Sequence, residues 1–320
     1  MVSTIVEIKR LEYPPEIKKN DLPPLVLALG YFDGVHLGHQ EVIRKAKDIA
    51  VQKGFKSAVM TFDPHPSVVL GKAEQHVQFI TPIRDKIRLI EQLEIDFLFI
   101  VDFTEAFANL LPQEFVDQYI IGLNAKHAVA GFDFTYGRMG QGTMETLPFH
   151  SRNEFTFSVV PKFESGGKKI SSTWIRTYLK EGKTDQLPLL LGRYYTTKGT
   201  VVHGDKRGRT IGFPTANIEL LDDYILPPVG VYAVRLKIDG EWYRGVCNIG
   251  FKPTFYRELS PKPSIEVHLF DFQADIYGKQ VEIEWHNYLR KEQKFSGIEE
   301  LVAQIERDKQ AAIDYFTSGF

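Results

Sequence analysis

Two imidazoles three residues apart stand out first, in Gly30-Tyr31-Phe32-Asp33-Gly34-Val35-His36-Leu37-Gly38-His39-Gln40. Such a pair can donate hydrogen bonds to an anion, hold a metal or move a proton. Leu25–Leu29 before it is a continuous apolar run that reads as a buried strand. In residues 40–53 after it, Val42, Ile43, Ala46, Ile49 and Ala50 recur at helical spacing. Strand, glycine-punctuated turn and helix follow in that order. His36 and His39 then fall at or just inside the first helical turn, where backbone N–H groups lack partners and the helix dipole favours negative charge. That is a phosphate site. A zinc site completed by His65 is the rival reading; it is discounted because the pair lacks the H-E-x-x-H glutamate and the phosphate-binding turn already accounts for both histidines.

The elements that must position these residues repeat along the first half. Strands are predicted at 57–62, 97–101 and 127–130, and helices at 83–93 and 112–121. Alternation of this kind predicts a parallel sheet with helices on both faces, whose ligands bind beyond the carboxyl ends of the strands. Phe62-Asp63-Pro64-His65-Pro66 falls at one such end; two prolines can hold an imidazole there, although a rigid turn is the plainer reading of these residues alone. Gly131-Phe132-Asp133-Phe134-Thr135-Tyr136-Gly137 falls at another. Its glycines allow close approach to a ligand and its aromatics can stack on a planar ring, and an ordinary glycine loop with core aromatics fits equally well. In Ile170-Ser171-Ser172-Thr173-Trp174-Ile175-Arg176 the hydroxyls offer a helix cap, with Arg176 about one turn inside.

Composition narrows the classes. The chain has 320 residues, 43% apolar and 25% charged, and a formal net charge of −2. Those are the proportions of a soluble globular protein of two domains, without the basic footprint of a nucleic-acid binder. One cysteine, Cys247, excludes an intrachain disulfide and a Cys-rich zinc site. No apolar run approaches the roughly 18 residues that span a bilayer, and a secretory h-region is missing. The expectation is a cytoplasmic protein; no protein partner is deducible. Neither G-x-x-x-x-G-K-[ST] nor G-x-G-x-x-G after a strand occurs.

Near residue 185 the pattern changes. Leu187-Pro188-Leu189-Leu190-Leu191-Gly192 reads as a short linking helix, and strands dominate beyond it, at 194–202, 231–238, 242–249, 264–270 and 280–288. Asp239-Gly240 marks a hairpin. A closing helix from about Gly297 is predicted to be capped by Ser296 and Glu299. The sum is a small closed β-barrel with a helix outside. Two stretches bear on chemistry here. The segment from His203 to Asn217 is glycine-rich and basic and ends in Pro214-Thr215-Ala216-Asn217, suited to a triphosphate and its Mg²⁺; without Thr215 and Asn217 it would read as a surface loop. Glu266 in Ile265-Glu266-Val267-His268-Leu269 reads most simply as the exposed face of an alternating strand.

Taken together and in order, these motifs resemble those of the bacterial bifunctional riboflavin kinase/FMN adenylyltransferases, also called FAD synthetases. The resemblance spans nearly the whole chain. It implies an α/β Rossmann-like nucleotidyltransferase domain over residues 1–184, followed by a barrel riboflavin kinase domain over 185–320. In the first, AMP passes from ATP to FMN, giving FAD and pyrophosphate. His36 and His39 would be catalytic there; Gly30, Phe32, Asp33, Gly34, Ser172, Thr173 and Arg176 would join them in binding ATP, and Phe62, Pro64, His65, Asp133 and Phe134 would meet the flavin. In the kinase, Glu266 would be the general base that accepts the proton of the riboflavin 5′-hydroxyl. Gly204, Arg209, Gly212, Thr215 and Asn217 would bind ATP, Thr215 and Asn217 would hold Mg²⁺, and Arg290 and Phe295 would border the flavin.

Overall fold

All five side chains of Leu25–Leu29 are buried, and the first half of the chain is layered around them. The computed structural model describes residues 5–17, 19–71, 77–204, 208, 211–251 and 263–318, and the chain divides into two units, Met1–Ser172 and Thr173–Phe320.

In the first unit the strands are β1 (Glu7–Leu11), β2 (Leu25–Leu29), β3 (Lys56–Asp63), β4 (Phe97–Asp102), β5 (Ala125–Gly131), a two-strand hairpin of β6 (Thr135–Tyr136) and β7 (Gly142–Thr143), then β8 (Thr156–Val160) and a second hairpin of β9 (Glu164–Ser165) and β10 (Lys168–Lys169). The main sheet runs β1-β4-β3-β2-β5-β8, with every pair parallel. The chain steps outward from β2 to β4 and then returns to lay β5 on the other side of β2. In open parallel sheets ligands bind beyond the carboxyl ends of the strands at such a reversal. Alternate residues of β2 face opposite layers: Leu25, Leu27 and Leu29 pack with Phe115 and Tyr119, while Val26 and Ala28 pack with Val42, Ile43 and Ala46 of α1 (Leu37–Lys53) and Ile90 of α2 (Ile83–Glu91). Burial on both faces explains the unbroken apolar run.

The edge strands β1 and β8 escape a search for such runs. Both carry exposed residues, as edges do. The predicted helix at 112–121 is present but changes form, from an α-helical turn at Pro112–Phe115 to a wider π-helical turn at Val116–Ile121.

A helix, α3 (Ser172–Lys180), starts at the last residue of the first unit and runs into the second. The short helix Pro188–Leu191 ends, as the sequence predicts, on a left-handed glycine, Gly192. Six strands then close a barrel: β11 (Tyr195–Val202), β12 (Ala216–Leu220), β13 (Gly230–Ile238), β14 (Glu241–Gly250), β15 (Ser264–Leu269) and β16 (Gln280–Arg290), in the order β11-β12-β15-β14-β13-β16. Asp239 and Gly240 both have positive φ, as the tight turn between β13 and β14 requires. In the interior the Trp285 indole donates to the Thr197 hydroxyl at 3.1 Å, so a buried donor is satisfied.

The last helix, α4 (Ile298–Thr317), covers the outside of the barrel through Ala312, Tyr315 and Phe316, which pack with Val231, Ala233 and Val246. Its cap differs from the predicted one. Gly297 is the cap residue, and it is Glu300 that accepts from the Ser296 backbone N–H at 2.9 Å and hydroxyl at 2.7 Å. Helix entry at Ile298 makes Glu300, not Glu299, the third residue, the one that reaches back. Arg290 fastens the same helix to β16: its guanidinium donates two bonds, 2.8 and 2.7 Å, to Asp308, which is 5% exposed. Among the described residues no helix is long and apolar enough to cross a membrane. Asp308→Ala should lower stability in urea denaturation by about 2–3 kcal/mol, somewhat less than for a fully buried pair because Arg290 keeps some access to water.

Candidate active sites

The turn between β2 and α1 holds three positive-φ residues, Phe32 (55°), Gly34 (88°) and Val35 (39°). For a β-branched residue such as Val35 this backbone is strained. The turn is tied on several sides. The Val35 N–H donates to the Phe32 carbonyl at 3.1 Å, and the Thr81 N–H donates to the Asp33 carboxylate at 3.1 Å. The Ser172 hydroxyl donates to the Asp33 carbonyl at 2.9 Å, and the Gln40 amide to the Val35 carbonyl at 3.0 Å. Gly30 is required because a Cβ there would lie 2.6 Å from the Phe32 ring.

His36 is itself the cap of α1. Its Nδ1 accepts from the His39 N–H at 3.2 Å, a task usually done by a Ser or Asp oxygen. With Nδ1 an acceptor, a neutral His36 carries its proton on Nε2. The His36 and His39 rings stack with centroids 3.5 Å apart at 17°, and Phe32 meets His39 edge-on at 5.3 Å.

The loop after β3 comes to the same end of the sheet. His65 caps the short helix Pro66–Leu70 by accepting from the Ser67 N–H at 3.0 Å, and its ring meets Tyr31 at 4.3 Å, edge to face. The Asp63–Pro64 peptide is cis. Phe62 is buried in the core with Phe103 and Phe107, so it supports this loop from below. After β5, Phe132 is exposed and Phe134 half-buried, and Asp133 pairs with Lys169, whose ammonium lies 4.5 Å from the Phe132 ring. Tyr136 is core, packed on Phe115, with its hydroxyl 2.8 Å from His150 Nδ1. Thr173 and Arg176 follow Ser172 on α3.

Lys86 does not stand out in the sequence, where it is one basic residue of an amphipathic helix. The structure buries it beneath the turn. Its Nζ donates to the Tyr31 carbonyl at 2.9 Å and lies 3.4 Å from the Thr61 hydroxyl. Burial pulls its ammonium down to about 8, against the opposing attraction of the Asp33 and Asp63 carboxylates.

In the barrel, Glu266 stands between two asparagines: it is directly opposite Asn217 of β12 on one side and Asn248 of β14 on the other. Directly opposed residues share a face, so an ordered row of amide, carboxylate and amide results. Asn248 is the member the sequence does not announce. Gly204 lies against this row, since a Cβ there would come within 2.2 Å of the Asn217 amide. Thr215 opens instead onto a cavity of about 430 Å³, walled also by Val201, Val267, Leu269, Phe272 and Tyr277. The His203 ring lies 3.9 Å from that of Tyr277, tilted by 36°. The Phe272–Tyr277 wall has no periodicity by which to find it. Gly212 has φ 87° and open space around it; Arg209 lies outside the described residues. Arg290 has its donors committed to Asp308 and the Lys291 carbonyl, and its guanidinium faces the Phe295 ring at 5.9 Å. Cys247 is buried, and burial, then the charge of Glu266, push its thiol up, which makes it a poor nucleophile.

Each half matches a family of its own. The FAD synthetase family model matches residues 18–174 and the riboflavin kinase family model residues 191–316. A bifunctional riboflavin kinase/FMN adenylyltransferase of Bacillus subtilis is 55% identical over 96% of this chain and 98% of its own. The chain belongs to that bifunctional family. A relative of the same name from Listeria monocytogenes is 49% identical over 91% of this chain and 92% of its own. The fold is shared with a crystal structure named a macrolide-efflux protein of Streptococcus pneumoniae, with a TM-score of 0.86, 35% identity and coverage of 97% and 99% of the two chains; efflux is said of that protein alone. Gly204→Ala should displace the Asn217 amide and cut riboflavin phosphorylation by about tenfold or more while FMN adenylation is retained, with the two products separated chromatographically.

Proposed function

We propose that the family's two activities are divided between residues 1–184, which adenylate FMN, and residues 185–320, which phosphorylate riboflavin. The observation that supports this division is that each matched region has its own cluster of polar groups: a histidine-capped helix start in the first, and the Asn217–Glu266 pair beside a Thr215-lined cavity in the second.

In the kinase half, Glu266 takes the proton of the riboflavin 5′-hydroxyl as that oxygen attacks the γ-phosphorus of ATP, and FMN and ADP result. The cavity receives the nucleotide, and Gly204, Arg209 and Gly212 bind ATP. Thr215 and Asn217 offer neutral oxygens of the kind that suit Mg²⁺ held mainly by nucleotide phosphates, and the ion would offset phosphate charge there. Arg290 and Phe295 border the flavin, with Arg290 orienting the border through Asp308.

In the adenylyltransferase half, an oxygen of the FMN phosphate attacks the α-phosphorus of ATP, the bond to the bridging oxygen breaks, and FAD and pyrophosphate leave. No covalent enzyme intermediate is needed, and positioning and charge stabilisation are the protein's contribution. His36 and His39 donate from their ring N–H groups to the phosphorane oxygens. Gly30, Phe32, Asp33 and Gly34 shape the turn around ATP; Ser172 ties that turn while Thr173 and Arg176 take phosphate charge. Pro64, His65, Asp133 and Phe134 face the flavin, and Phe62 supports them. A cytoplasmic setting fits an enzyme that consumes ATP twice.

With riboflavin, ATP and Mg²⁺ supplied, His39→Ala should accumulate FMN and make no FAD. Glu266→Gln should leave riboflavin unphosphorylated yet adenylate added FMN. Loss of both activities in either folded variant would sink the division.

A further inference from the structure

Lys86 is 3% exposed, too deep to touch a substrate. Satisfying the backbone does not require it, because the Thr61 hydroxyl already donates to the Tyr31 carbonyl at 2.9 Å. An ammonium out of water is nonetheless costly, and that cost needs an offset. Asp33 and Asp63 provide it, and they lie in different loops, one after β2 and one at the end of β3. Arg10 of β1 approaches Asp63 from the far side at 3.4 Å, and Asp85 is buried next to Lys86 on α2. The Lys86 Nζ also lies 4.2 Å from the centroid of the Tyr31 ring, which His65 meets edge to face. One buried cation thus touches the residue that opens the His36 turn, and through it the imidazole of the neighbouring loop.

We propose that Lys86 is a positioning residue for adenylyl transfer, holding the Tyr31–Val35 turn and the Asp63–His65 loop in one register so that the two phosphates meet in line. The inference rests on the adenylyltransferase reading of this site. A lysine kept for stability and a lysine kept for positioning differ in what removal does. Its pKa falls from 10.5 to about 8 on folding, so its charge opposes folding below pH 8, and this penalty fades as pH rises from 8 to 10.5. Removing the charge should therefore leave stability equal or higher, while the loops lose their common anchor.

The test uses the full-length chain with both reactions followed. Lys86→Met should lower kcat for FMN adenylation by about 10²-fold, with riboflavin phosphorylation within about twofold of wild type and an unchanged or raised thermal midpoint at pH 7. Wild-type adenylation should fall as pH rises through about 8, relative to phosphorylation in the same samples. Lys86→Arg, charged throughout, should retain adenylation above that pH. Wild-type adenylation rates in Lys86→Met, a lowered thermal midpoint with both reactions lost, or the same alkaline fall in Lys86→Arg would each overturn the inference. His39→Ala separates the two readings: if it still makes FAD, the site reading fails by itself, whereas loss of FAD there with full activity in Lys86→Met refutes only the role of Lys86.

Discussion

The first unit depends on one constraint: β2 is buried on both faces and must deliver its chain directly into a helix at the point where the sheet order reverses. No straight exit exists, so the backbone takes positive φ at Phe32, Gly34 and Val35. Such conformations persist only where surrounding contacts over-determine them. Here Thr81, Ser172 and Gln40 bond to the turn and Lys86 bonds just before it. The same geometry makes a histidine the cap of α1, through Nδ1 of its ring.

The second unit reaches a comparable result by other means. Its barrel gives every strand two partners, so a carboxylate can be held by register alone, with an amide on either side. Helix α4 braces the outer wall through Arg290 and Asp308, and the cavity is walled by residues of β11, β12, β15 and the Phe272–Tyr277 segment. In one unit a helix start carries the paired histidines; in the other a strand ladder sets a carboxylate between two amides.

How much of this the sequence discloses follows from burial. Strands β2, β3, β4 and β5 are legible because two buried faces force apolar runs, whereas the edge strands β1 and β8 and the short β12 mix polar residues into theirs and are missed. The glycine and histidine spacing of the β2–α1 turn is legible since backbone close approach restricts residue type. Phe62 shows the limit of that logic: the resemblance implies contact with a flavin, and the fold packs the ring with Phe103 and Phe107. Lys86 and Asn248 are illegible for the opposite reason. Each is a common residue in an ordinary helix or strand, and only packing from a distant segment sets it apart.

The barrel closes by pairing its first strand, β11, with its last, β16. During synthesis β11 must wait, unpaired on that side, until nearly the whole chain has left the ribosome. The parallel sheet of the first unit is complete at β8, well before β11 is made. Domains tend to form as units in the order of translation. The half that consumes FMN is thus built before the half that makes it, and a nascent chain stalled or cut short within the barrel would carry only the later step of the pathway.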